Sequence, residues 1–266
     1  MTAGNAQQPV LSILMPVFNE LHTVQRAVSE TLATPGLPEL ELILVDDGST
    51  DGTRDLLRES DFGPNVRVFF HDANQGKGAA VRTALEHARG RFSAILDADL
   101  EYAPGDLVPL LEPLLEGLSR AAFGVRVFNG YTSHSYLYVL GNRGVTWAAN
   151  VLFNCYLRDL MTCHKAIETE LFRSLPLTAR GFEIEAEIAA QLLRRRVRIF
   201  EVPVHYHARS HDDGKKLTTT DGLRVLRMLV RCRLQPAPPA EPADSHPTGR
   251  MEPPPTDLTM TGATRS

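Results

Sequence analysis

Arg91-Phe92-Ser93-Ala94-Ile95-Leu96-Asp97-Ala98-Asp99-Leu100-Glu101-Tyr102 is an apolar run that ends in Asp97, Asp99 and Glu101. The run has the length and composition of a buried strand. The acids therefore gather where it stops, and at that density they repel one another unless a cation sits between them. All-oxygen ligands suit a hard divalent ion, Mg²⁺ or Mn²⁺, which commonly completes its shell with substrate phosphates. Neutralising a departing diphosphate is the chemistry such a site does best. This stretch reads as a nucleotide-sugar site.

Upstream of it, strand-like and helix-like segments alternate. Val10 to Val17 is apolar and closes at Pro16, with Asn19 as the expected cap of a helix over 20–33. Leu40 to Val45 is a second strand, ending at Asp46-Asp47-Gly48-Ser49. A helix from Asp51 to Ser60 follows, with Asp51 as its cap, then a strand over Val66 to Phe70 and a helix over Lys77 to Ala88. This alternation implies right-handed crossovers and a mostly parallel sheet. In such sheets ligands bind beyond the carboxyl ends of the strands. Pro16 to Glu20, Asp46-Asp47, Asn74 to Gly78 and Asp97 to Asp99 should thus share one rim.

The second half predicts helices over Asp106 to Leu118, Leu137 to Leu152, Glu183 to Arg195 and Asp221 to Leu234. Strands are expected at Ala121 to Phe128, at the start of Lys165 to Phe172, and at Val197 to His205. Gly130 to Ser135 and Arg209 to Thr220 read as polar loops. Residues 1–9 are expected to be a flexible N-terminus and 10–234 one α/β domain. The last segment, 235–266, holds eight of the 18 prolines and few large apolar residues, and should be disordered.

With 43% hydrophobic residues, the chain can bury a sizeable core. The net charge of −4 disfavours a dedicated nucleic-acid partner. Cys155, Cys163 and Cys232 lack metal-ligand spacing, which points to a reduced, cytoplasmic setting. Met1 to Pro9 has no basic residues and no long apolar run after it, so a signal peptide is not expected, and without a stretch of roughly 20 apolar residues membrane contact would be peripheral. The expected place is 221–234, where Arg224, Arg227 and Arg231 run beside Leu223, Leu226 and Val230 and would suit an anionic surface. A helix packed on the domain with its arginines in water fits the same pattern.

Several constellations keep two readings. Asp46 to Gly52 is an acidic turn or a nucleotide clamp. Asn74-Gln75-Gly76-Lys77-Gly78 fails the spacing of a P-loop, and no Gly-x-Gly-x-x-Gly follows the first strand, which disfavours a nucleotidase or a dinucleotide enzyme. Lys77 should support the site's architecture. His205, His207 and His211 leave a zinc site open, though without an evident fourth ligand. Glu183, Glu185 and Glu187 complement a helix dipole, or one of them is a general base.

With these motifs in place, the chain resembles family 2 glycosyltransferases, in particular the dolichyl- or polyprenyl-phosphate mannosyltransferases. The resemblance spans about Leu11 to Leu234 and rests on Met15 to Glu20, Val45 to Ser49, Asn74 to Ala80, Leu96 to Tyr102, Gly124-Val125-Arg126, Met161 to Ala166, Gly181-Phe182-Glu183 and Val202 to Lys216. It implies a GT-A fold and an inverting, metal-dependent transfer of a hexose from a nucleotide sugar, GDP-mannose first, to a polyprenyl phosphate. It further implies that Pro16, Phe18, Glu20, Val45 and Asp47 hold the nucleoside, and that Asp97, Ala98 and Asp99 line the ribose and diphosphate. Asp99 and Glu101 would bind the metal. Arg126, Lys165, Arg209 and Lys215 would contact donor or acceptor phosphates, with Asp99, Arg126, Arg209 and Lys215 closest to the reaction. Phe18 stands where Tyr is common, and His164 where Tyr usually precedes the lysine. A soluble hydroxyl acceptor, with Glu183 or Glu185 as base, and a non-catalytic nucleotide-sugar-binding protein are the alternatives.

Overall fold

A computed structural model describes residues 9–127, 136–207 and 219–236. Arg209, Lys215, His211, the loop expected at 130–135 and the proline-rich segment beyond 236 lie outside the described residues. The first half runs β1 (Leu11–Val17), α1 (Val24–Ala33), β2 (Leu40–Asp46), α2 (Thr53–Glu59), β3 (Val66–Phe70), α3 (Lys77–His87) and β4 (Phe92–Ile95). The second half runs α4 (Leu107–Leu115), β5 (Ala121–Val127), α5 (Tyr136–Phe153), β6 (Lys165–Glu168), α6 (Thr169–Ser174), α7 (Ile184–Arg194), β7 (Ile199–His205) and α8 (Thr219–Leu234).

The seven strands form one sheet in the order β3-β2-β1-β4-β6-β5-β7. All neighbours are parallel except β6, which runs antiparallel to both β4 and β5. Strand residues alternate between two cores, as the period of two requires. Leu11, Ile13, Met15 and Val17 of β1 pack with α1 and α4 on one face. Leu14, Ile43, Val45 and Phe123 pack with α3, α5, α7 and α8 on the other. Helices on both faces explain why these strands read as continuous apolar runs rather than alternating ones.

The expected order of strands and helices is the observed one. The entry to α1 differs. Asn19 does not cap it: it adopts φ 54° and its side chain accepts the N–H of Thr50, while the helix begins at Val24 after Thr23. Asp51 lies one residue before the N-cap Gly52 of α2 and still accepts the Thr53 N–H at 3.0 Å. No helix among the described residues is long and apolar enough to cross a membrane.

Candidate active site at the carboxyl rim of the sheet

The loops after β1, β2 and β3 and the start of α3 are stitched together in sequence. After β1, the N–H groups of Asn19 and Leu21 donate to Ser49 and Asp51 in the loop after β2, and that of Glu20 to Thr53 at the start of α2. Asp47, 2% exposed, then accepts the N–H groups of Gln75 and Gly76 at 2.9 and 2.7 Å and contacts His71 Nδ1. Gly76 makes this turn at φ 96°, and a Cβ there would lie 2.3 Å from the Arg180 carbonyl oxygen. Only glycine lets α3 start so close to the loop before α7.

Lys77, the first residue of α3, reaches across to β4. Its Nζ lies 2.7 Å from Asp97 Oδ2 and 3.0 Å from Glu185 Oε1 of α7, and it donates to Cys163 Sγ. Burial alone would lower the Lys77 pKa, but the Asp97 carboxylate, then Cys163 and Glu185, outweigh it and hold it well above the usual lysine range. Asp97 answers in kind: burial would raise its pKa, and Lys77 brings it below the usual carboxylate range. A charged lysine thus fixes Asp97 at the strand end, the architectural role expected of Lys77.

The remaining acids are anchored from the other half of the molecule. Asp99 Oδ1 accepts the N–H of Glu101 at 3.1 Å, and Glu101 Oε2 accepts the Tyr206 hydroxyl at 2.9 Å. The Glu101 carbonyl accepts the His207 N–H, and Tyr102 bridges Tyr206. Arg126, at the end of β5, lies 5.1 Å above the Tyr206 ring and is forked onto Asp159, Nε to Oδ2 at 2.7 Å and an Nη to Oδ1 at 2.8 Å. Burial would raise the Asp159 pKa, but its bonds to Arg126 dominate and lower it. Asp97, Asp99, Glu101, Tyr206 and Arg126 therefore line one stretch of rim, and the segment holding Arg209 and Lys215 begins just after His207.

Three expectations need correction. Lys165 is fully buried: its Nζ is held by Glu185 at 2.7 Å and by the carbonyls of Leu160 and Thr162, beneath the Phe123 ring. It has no ammonium to offer a phosphate, because β6 turns its side chain into the core. Glu185 sits between Lys165 and Lys77 at 1% exposure and is no base for an acceptor hydroxyl. Val45 packs in the core cluster, so only its neighbours present side chains to the rim. Of the remaining expected residues, Pro16 and Phe18 are half-buried, while Glu20 is buried and accepts from Thr23. Ala98 is buried. His205 Nδ1 is in direct hydrogen-bond contact with Asp106 Oδ1 at 2.9 Å.

For a dication, the donor set is all oxygen, at Asp99 and Glu101. Among the described residues no three His, Cys, Asp or Glu side chains group to hold a metal alone. Two carboxylates with a substrate diphosphate completing the shell is the arrangement Mg²⁺ commonly adopts, and these residues fit it. Sequence reading missed the roles of Asp159 and Tyr206. The only signal for either was position: Tyr206 follows β7, and Asp159 lies in a polar loop before the Met161 to Ala166 motif.

Comparison with known proteins identifies the family and the fold. The profile described as Glycosyl transferase family 2 matches residues 12–173. Glycosyltransferase AglJ of Haloferax volcanii is 32% identical over 213 residues, covering 80% of this chain and 67% of that protein. The undecaprenyl-phosphate 4-deoxy-4-formamido-L-arabinose transferase of Shewanella sediminis is 26% identical over 220 residues, covering 77% of this chain and 61% of its own length. Among solved structures, glucosyl-3-phosphoglycerate synthase of Mycobacterium tuberculosis, in complex with UDP, superposes with a TM-score of 0.66 at 23% identity, over 87% of this chain and 82% of that one. At that identity the likeness speaks for the fold, which is GT-A.

Proposed function

Because the chain belongs to glycosyl transferase family 2, we propose that it moves a hexose from a nucleotide sugar to a polyprenyl phosphate with inversion at the anomeric carbon. The observation that carries this is the rim at the end of β4, where Asp97 is fixed by Lys77 and Glu101 by Tyr206, with Asp99 between them. The lipid acceptor draws support from the undecaprenyl-phosphate transferase relative. GDP-mannose is the first donor to test on the motif resemblance. UDP-hexoses come next, since the M. tuberculosis synthase was crystallised with UDP, and also with Mn²⁺.

In this reading Pro16, Phe18, Glu20 and Asp47 border the nucleoside, and Asp97, Ala98 and Asp99 the ribose and diphosphate. Asp99 and Glu101 would hold Mg²⁺ or Mn²⁺, which when bound offsets the charge of the leaving diphosphate. Arg209 and Lys215 would supply positive charge beside it, while Arg126, whose charge is matched by Asp159, would orient that stretch of rim. The acceptor phosphate oxygen attacks C1 from the face opposite the departing nucleotide. That oxygen is already anionic, so no strong base is required. The burial of Glu185 between two lysines agrees with this, because it removes one of the two candidate bases.

The test is incubation of the purified chain and Mn²⁺ with a panel of nucleotide sugars, with and without polyprenyl phosphate. A glycosyl lipid should form, Asp99→Ala should abolish it, and Glu183→Gln should leave it within a few-fold. Transfer only to a soluble hydroxyl compound, lost in Glu183→Gln, would replace the lipid-phosphate reading with the base-catalysed one.

A further inference from the structure

Helices α5 and α8 each bury one stripe and expose the opposite one. On α8, Val225, Met228, Leu229 and Cys232 enter the core, while Leu223, Leu226, Val230 and Leu234 face outward at i, i+3, i+7 and i+11, Leu223 at 71% exposure. On α5, Val145 and Ala149 enter the same core, and Leu140, Trp147 and Val151 face outward at i, i+7 and i+11, with Trp147 at 69% exposure. The helices pack side by side, and Arg233 Nε of α8 donates to the Leu152 carbonyl of α5 at 3.0 Å. Their outward stripes therefore adjoin. Exposed large apolar residues in such a run, around a tryptophan, mark a contact surface rather than scattered solvent-facing side chains.

The charge around these stripes decides what they contact. At 100° per residue, exposed Arg224, Arg227 and Arg231 flank the α8 apolar stripe on one side, and Arg143 lies beside Trp147 on α5. No Asp or Glu occurs in 140–151 or in 222–234. A second copy of this face would bring more arginines and no carboxylate from these segments to pair with them, which is unfavourable. An apolar stripe rimmed by arginines, with an amphipathic indole among it, complements an anionic bilayer surface. The stripe also begins close to the site: Asn142 of α5 donates to Asp159, the carboxylate that holds Arg126.

We propose that the adjoining outward faces of α5 and α8 form one docking surface for an anionic lipid bilayer. It places the membrane at the edge of the rim bearing Arg126. This deepens the lipid-acceptor reading and rests on it only for the purpose of the docking.

Trp147 is the one tryptophan in the chain, so its fluorescence reports this face without labelling. The purified protein is mixed with phosphatidylcholine vesicles or with vesicles that also contain phosphatidylglycerol. Its emission should shift to the blue and the protein should co-sediment with the second kind, far less with the first. Reversing the arginine row with Arg224→Glu, Arg227→Glu and Arg231→Glu together should weaken partitioning by at least about a hundredfold, since losing the three positive charges alone removes roughly a factor of five each. Leu223→Ser with Val230→Ser should weaken it at high salt as well. Circular dichroism and calorimetric binding of the nucleotide sugar should be unchanged in both variants, since neither touches the rim. An unshifted emission with anionic vesicles, or equal binding by the reversed variant, would overturn the proposal. So would a blue shift that grows with protein concentration in lipid-free buffer, which identifies a second copy as the occupant. If wild-type protein binds vesicles and no nucleotide sugar, the transferase reading fails and the docking surface stands.

Discussion

At the scale of single residues, the site is built on buried ionisable groups whose protonation is set by their neighbours. His164 is fully enclosed, stacked on Tyr102 at 4.6 Å, with Nε2 on the Ala103 carbonyl and Nδ1 without a hydrogen-bond partner among the described residues. Burial, only partly countered by that carbonyl, lowers its pKa from 6.5 to about 4. The unfolded chain therefore binds a proton that the folded one refuses. Stability from this residue is full above pH 6.5 and is lost as pH falls toward 4, by up to about 3 kcal/mol. His164→Phe keeps the ring stack and has nothing to titrate. Its urea-unfolding free energy should be flatter than wild type between pH 6.5 and 4. Asp97 and Asp159, both lowered below 3.8, act at more acid pH, where their contribution disappears as they protonate. The acids at 97, 99 and 101 were legible in the sequence because three carboxylates at a strand end demand a partner. The burial of Lys165 was not. A lysine within a motif looks available until the pairing of its strand shows which way the side chain points.

At the scale of elements, alternation of apolar runs with helical segments was enough to find the sheet's first four strands and their parallel run, because parallel strands covered on both faces are apolar nearly throughout. Boundaries failed where tertiary bonds replaced local ones. Asn19 was expected to cap a helix on its residue type, yet it spends its side chain on the next loop and takes a positive φ to do so. The start of α3 carries the opposite lesson: Gly76 looks like an ordinary loop glycine, and its role follows from the Arg180 carbonyl. Gly76→Ala should cost about 2 kcal/mol or more, from a strained φ and a backbone clash together. Gly63→Ala shares the positive φ, 85° against 96°, but has nothing within 4 Å of the new Cβ. Thermal melting of the pair should show the larger drop for Gly76→Ala, and equal drops would mean the loop before α7 yields without cost.

At the scale of the whole molecule, the rim is a joint between two halves of one sheet. The β1–β4 half fixes Asp97 through Lys77, and the β7 end fixes Glu101 through Tyr206. Tyr206→Phe keeps the ring beneath Arg126 and deletes one hydrogen bond. Groups that orient a metal-binding carboxylate typically change metal affinity about 10–100-fold when lost. In a transfer assay the Mn²⁺ concentration for half-maximal activity should therefore rise by about tenfold or more, with thermal stability nearly unchanged. Chelation of the ion should stop transfer in wild type and variant alike, and re-addition of Mn²⁺ should restore both. This joint could not be read from sequence, since Tyr206 and Glu101 meet only after β6 and β5 have been placed between their strands.

The antiparallel β6 carries a consequence for how the protein is born. A ribosome releases β4 and then β5, yet the strand that belongs between them, Lys165–Glu168, emerges only after a long helix and loop. Until then the flank of β4 is a row of bare amides and carbonyls, the kind of exposed margin to which stray chains adhere. A nascent polypeptide stalled after Val127 would be sticky and would need a chaperone, and the few residues of β6 are what finally seal it.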